Sequence, residues 1–280
     1  DAERVWILDP IDGTRSFIFG LPQEWSHGYV RFQAKVNYDA AARESNYTNN
    51  TSNLLGRTFR PGTTDGLAYV LGVYVDANNH KLVSNGGDLD DDLQKMRGML
   101  PFVDVVNLGP APAPMLVLSH YDWMTYAGWC EAIGHLMDVH DECEGDPLCN
   151  ERWVLLLPSI PGAAYGGLGE QPGRDIMIVG PSADVAAHES GHNYGFGHAD
   201  CGLPPDDQWI DPNIPVYIED YGLDVETLRI YPPGSPEFMS YCHNDWISIY
   251  SYEYIYHHFM GAPALDAGPE LSAVNQALLV

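Results

Sequence analysis

His188-Glu189-Ser190-Gly191-His192-Asn193-Tyr194-Gly195-Phe196-Gly197-His198 sets three imidazoles and one carboxylate at spacings that build a metal site. On a helix, positions i and i+4 lie on one face about one turn apart, so His188 and His192 reach one cation together. Glu189 stands one step round the helix and need not be a ligand. Its carboxylate is placed instead to hold and deprotonate a water at the metal. Gly195 lets the chain leave the helix through a left-handed backbone that other residues adopt only at a cost. The resulting turn brings His198 back to the same cation. Three protein ligands with a fourth position left to water is the donor set of a catalytic zinc, whereas a structural site is closed by four. The expected cofactor is one catalytic Zn2+ held by His188, His192 and His198, with Glu189 as general base.

Outward from this run, Arg174 to Gly180 reads as a buried strand, and Pro181 to Ala187 as a cap and first helical turn. Ser182 is the candidate N-cap, and Asp184 favours the positive end of the helix dipole. Further strands are expected at Leu67–Val75 and Trp153–Leu157. Helices are expected over about Leu89–Leu100 and Tyr121–His140. Asp90, Asp91 and Asp92 read as capping, solvated groups, and His135 and His140 as ordinary polar-face residues. Val103–Val106 and Met115–Leu118 read as a second strand or a hairpin across Gly109-Pro110-Ala111-Pro112-Ala113-Pro114. Ala164 to Gly169 is glycine-rich: Gly166 and Gly167 suit either close backbone approach by an extended peptide or a weakened turn. After His198 the chain becomes rich in proline and loops, and a closing helix is expected at Tyr252–Met260. Strands alternating with helices imply an α/β (α+β) fold with a mixed sheet.

Downstream, Pro236-Glu237-Phe238-Met239-Ser240-Tyr241-Cys242 adds a second pattern. With the complete H-E-x-x-H-x-x-G-x-x-H run, it resembles the metzincin clan of zinc endopeptidases, whose signature continues with a methionine-containing turn beneath the metal. The resemblance implies two subdomains flanking a cleft, with an active-site helix and a twisted mixed sheet above. It also implies Met239 as an apolar floor. The Met-x-Tyr spacing resembles the astacin-like and serralysin-like branches, which implies that Tyr241 stabilises an oxyanion. The strand near Gly166–Gly169 would be the antiparallel edge on which a substrate pairs. Ala199 departs from the adamalysin-like branch, where an acid directly follows the third histidine.

The resemblance sets the expected organisation. Residues 59–280 would be the catalytic domain, with an upper subdomain of about 59–195 and a lower one of about 196–280. Residues 1–58 read as β-rich, with strands at Val5–Leu8, Ser16–Phe19 and Tyr29–Asn37, and resemble the end of an Ig-like, β-sandwich surface module. Five cysteines favour an oxidising compartment. Cys201 and Cys242 lie on segments that the metal would already join, so they are the expected disulfide. Cys143–Cys149 is the simplest second pair and would leave Cys130 free, with Cys130–Cys149 and Cys130–Cys143 as alternatives.

A net charge of −26 with only three lysines (Lys35, Lys81, Lys95) argues against nucleic acid or an anionic membrane as partner. No apolar run approaches the roughly 20 residues that span a bilayer. Asp200, Asp206, Asp207, Asp211, Glu219 and Asp220 offer oxygens to Ca2+, though without the ordered spacing of a recognised calcium loop. The function expected from these residues is a secreted or cell-surface zinc endopeptidase acting on extracellular protein or peptide. The rival is a secreted binding or adhesion module with a non-catalytic zinc. An intact Glu189 speaks against the rival, because a binding protein has no use for the base.

Overall fold

The computed structural model describes residues 28–32, 55–59, 63–102, 104–171, 175–203, 209–224, 227, 229–243 and 245–260. The chain divides into two compact units, 1–61 and 62–280. In the first, β1 (Gly28–Phe32) and β2 (Leu55–Phe59) pair antiparallel, with Gly28 opposite Phe59. The strands expected at 5–8 and 16–19, and residues 33–37 of the third, lie outside the described residues.

The second unit is a mixed α/β layer structure. Its six-stranded sheet comprises β3 (Thr64–Val75), β4 (Lys81–Val83), β5 (Asp104–Val117), β6 (Arg152–Leu156), β7 (Gly167–Gly169) and β8 (Ile176–Val179). Its helices are α1 (Asp88–Met99), α2 (Tyr126–Asp141), α3 (Ala183–Asn193) and α4 (Ile249–Met260). Strands β5, β3, β6 and β8 run parallel, while β4 and β7 are antiparallel to their neighbours. Short β9 (Gly222–Leu223) and β10 (Ile230–Tyr231) pair in the loop-rich region after α3.

The two faces of the sheet follow from the period-2 alternation of its strands. Leu67, Val154, Leu156, Met177 and Val179 pack with Leu89, Leu93 and Met96 of α1 and with Ala186 and Ala187 of α3. Their neighbours Ala68, Val70, Trp153, Leu155, Ile176 and Ile178 pack with Trp129, Ala132, Ile133 and Leu136 of α2. Covered on both faces, β6 and β8 are continuous apolar runs, as buried parallel strands are. No described helix is long and apolar enough to cross a membrane.

Several boundaries differ from expectation, each for a local reason. The segment expected to break at Gly109–Pro114 is one 14-residue strand, β5, parallel to β3. Leu67 pairs with Arg152 of β6 and with Asn107 of β5, so β3 runs between them. Among the described strands β5 pairs only with β3. Proline is tolerated on such an edge because its missing N–H would face outward, and register shifts near Ala68 and Tyr69 take up the irregularity. Helix α2 starts at Tyr126 rather than Tyr121, since the Thr125 hydroxyl caps it by accepting the Gly128 N–H. Helix α4 starts at Ile249 rather than Tyr252, and the Ser248 hydroxyl accepts the Ser251 N–H at 3.2 Å. Ser182 does occupy the N-cap position of α3, but its side chain makes no capping bond. Asp92, expected to be solvated, is buried, and that burial together with Asp88 and Asp91 pushes its carboxyl up to about 7.

Candidate metal centre

Helix α3 leaves the end of β8 and carries His188, Glu189 and His192, all buried. The helix ends at Tyr194, and Gly195, at φ +96°, reverses the chain. Its N–H donates to the His192 carbonyl at 2.8 Å and the Phe196 N–H to the Gly191 carbonyl at 3.0 Å. His198 is then fixed between two backbone bonds. Its N–H donates to the Trp209 carbonyl at 2.7 Å, and its own carbonyl accepts the Asp211 N–H at 2.9 Å. The three histidines converge, with one candidate ligand atom from each lying within 4.8 Å of the others. Ring centroids are 4.8 Å apart for His192 and His198, and 5.0 Å for His188 and His192.

The chemistry of the donors fits a metal ion. A carbonyl only accepts, so Nδ1 of His188, 2.8 Å from the Phe238 oxygen, and Nδ1 of His192, 2.9 Å from the Phe196 oxygen, must carry their protons. That tautomer leaves Nε2 of each ring with its lone pair. Nε2 of His192 lies 3.1 Å from Nε2 of His198, close enough for one cation to bind both. Burial lowers the pKa of His188 to about 4, with the nearby His198 adding to the effect. It takes His192 well below its ordinary value, helped by His188 and His198. Buried histidines are therefore neutral at physiological pH, the form that ligates. Among the described residues this trio is the one group of His, Cys, Asp and Glu side chains that can hold a metal ion. The described acids of the expected calcium set, Asp200, Asp211, Glu219 and Asp220, do not gather, and Asp206 and Asp207 lie outside the described residues.

No protein-family model matches the chain, and no curated protein matches it.

Glu189 lies against the edge strand β7. Its carboxylate accepts the Gly169 N–H, yet burial dominates and pushes its pKa up to about 8. A β-carbon on Gly167 would sit 2.7 Å from Oε1 of Glu189, and one on Gly169 would sit 2.5 Å from its carbonyl oxygen. These glycines let α3 press onto the strand. Strand β7 is antiparallel to β8 and ends the sheet, with Gly167 opposite Val179. Gly166 precedes the strand, and its carbonyl accepts the Gly180 N–H at 2.8 Å.

Met239 is fully buried, and its sulfur lies so close to α3 that a β-carbon on Gly191 would be 2.2 Å from it. Its carbonyl accepts the Ala199 N–H at 3.0 Å, and the Tyr241 N–H donates to the Cys201 carbonyl at 3.0 Å. The segment after His198 is thus zipped to the methionine turn. The Tyr241 ring is half-exposed and meets His198 edge-on at 4.9 Å. Cys201–Cys242 closes the zipper, and Cys143–Cys149 forms the second disulfide, leaving Cys130 free and exposed. Replacing both Cys201 and Cys242 by serine is expected to lower stability by about 2–4 kcal/mol, since the loop they close spans 41 residues. A urea-unfolding midpoint unchanged from the native protein would show the zipper holds without the bond.

Two groups escaped the sequence reading. Glu237, two residues before Met239, is fully buried and hydrogen-bonded to the methionine turn and to the start of α4. An acid inside the apolar stretch Glu237-Phe238-Met239 was the signal available for it. Arg152, at the start of β6, bridges Asp65 of β3 and donates to Asn193 Oδ1 at 3.0 Å and to the Tyr194 hydroxyl at 3.1 Å. Asn193 and Tyr194 lie inside the eleven-residue run between the second and third histidines, and nothing in their spacing pointed to this network.

Proposed function

We propose that this protein is a zinc-dependent endopeptidase of the metzincin type, acting on extracellular proteins or peptides. The observation that carries the reading is the convergence of three buried imidazoles with a buried carboxylate beside them and a methionine packed against the same helix. A closed structural site would leave Glu189 without a purpose. A zinc ion held by His188, His192 and His198 would supply Lewis-acid polarisation of a carbonyl and activation of water.

The remaining chemistry belongs to side chains and backbone. Glu189 takes a proton from the attacking water and delivers one to the leaving amine. Its burial makes it a stronger base than a solvated glutamate, closer to the operating pH. The Tyr241 hydroxyl donates to the oxygen on which negative charge develops. Apart from the Gly169 N–H, which the Glu189 carboxylate accepts, the outer N–H and C=O groups of β7 would pair with an extended peptide, which would join the sheet as one more strand. Two disulfides suit an oxidising, extracellular setting.

The test is cleavage of a mixed peptide library by the full chain. Zinc-loaded protein is expected to cut it, chelator-treated protein to leave it intact, and added zinc to restore cleavage. A chain that holds zinc yet leaves the library uncut would instead be a binding module with a non-catalytic metal.

A further inference from the structure

We infer that Glu237 is a positioning residue for the metal centre, acting on His188 through one peptide group; the inference rests on the reading of His188 as a metal ligand. The peptide joining Phe238 to Met239 is engaged at both ends. Its carbonyl oxygen accepts the Nδ1–H of His188 at 2.8 Å, and its N–H donates to Oε2 of Glu237 at 2.6 Å. Carboxylate, amide and imidazole therefore form one hydrogen-bonded chain.

The chain has a direction. Donation to a carboxylate polarises an amide, so its carbonyl becomes a better acceptor and draws harder on the imidazole N–H. An imidazole whose Nδ1 proton is drawn away holds more electron density at Nε2. Carboxylates bonded directly to metal-ligating histidines strengthen them in this way. Here the effect is passed through one peptide unit.

The surroundings divide the work of the two carboxylate oxygens. Oε1 is occupied by the start of α4, accepting from the Ser251 hydroxyl at 2.7 Å, the Ser248 hydroxyl at 3.2 Å and the Ser248 N–H at 3.3 Å. Oε2 faces the Met239 N–H. Glu237 is 0% exposed, so water does not screen the link. The fold anchors one oxygen and aims the other at the peptide that orients His188.

The experiment compares zinc affinity of the native chain with those of Glu237→Gln, Glu237→Asp and Ser251→Ala, by competition with a chromogenic chelator at pH 8. That pH lies above the value near 7 to which burial raises the Glu237 carboxyl. Glu237→Gln is expected to weaken zinc binding about 10- to 100-fold. The hydrogen-bonded Nδ1–H proton of His188 should move upfield in its NMR spectrum. Glu237→Asp keeps the charge but withdraws it from the Met239 N–H, so it should weaken binding by less, and it carries the test should Glu237→Gln not fold. Ser251→Ala removes a bond to the other oxygen and should leave affinity within about twofold while lowering stability. A folded Glu237 variant that binds zinc as tightly as the native chain would overturn the inference. So would Ser251→Ala weakening zinc as much as Glu237→Gln, since Glu237 would then only brace the fold. A native chain that takes up no zinc would instead sink the metal-centre reading itself.

Discussion

Glu189→Gln is expected to lower peptide hydrolysis by about a hundred- to ten-thousand-fold while leaving metal bound. Glutamine keeps the shape of the side chain and an oxygen to accept the Gly169 N–H, so α3 should still seat on β7. It cannot take a proton. Because His188 and His192 are oriented by the Phe238 and Phe196 carbonyls and His198 is placed by its backbone bonds, none of them through Glu189, the ligand set should survive the change. Turnover of a cleaved library peptide and elemental analysis of the same sample check both halves. Full turnover would remove Glu189 from the mechanism, and loss of the metal would place it among the ligands.

Arg152→Met is expected to destabilise the protein by about 3–5 kcal/mol. The guanidinium is largely buried, as is the Asp65 carboxylate it pairs with. It also lies over the Tyr194 ring, 4.9 Å from its centroid, and reaches the end of α3 through Asn193. Removing it leaves Asp65 with the Tyr194 hydroxyl at 2.7 Å and no opposing charge among the described residues. Most of the loss is therefore the penalty of an orphaned buried charge, not the worth of the pair. The double variant Asp65→Leu, Arg152→Met should then regain part of the stability in urea unfolding. A double variant no better than Arg152→Met would mean that the bonds to Asn193 and Tyr194 dominate.

The parts of this protein legible in its sequence are those with short-range periodicity. His188 and His192 meet because a helix repeats every 3.6 residues, and a glycine at the right place returns His198. The buried strands β6 and β8 announced themselves as apolar runs. What stayed hidden depends on contacts between distant segments. Asp65 and Arg152 are 87 residues apart, and no local pattern requires them to meet. Glu237 is buried because Ser248 and Ser251, at the start of α4, come over it from 11 and 14 residues downstream. In β5, Gly109 and three prolines are turn signals by composition, and only the edge position makes them compatible with a strand. Gly166 and Gly167 suited either a turn or close backbone approach by an extended peptide. They admit α3 and the Glu189 side chain. The pairing Cys143–Cys149 was one of several arrangements open to three cysteines close in sequence, and its choice needed the fold.

The metal centre is tested most directly by anomalous diffraction from crystals of the zinc-loaded full chain, recorded above and below the zinc absorption edge. One peak is expected, about 2.0–2.1 Å from a nitrogen of each of His188, His192 and His198. Glu189 should stand beside it without binding. No peak at the three histidines, or a peak closed by Glu189 as a fourth ligand, would contradict a catalytic site there.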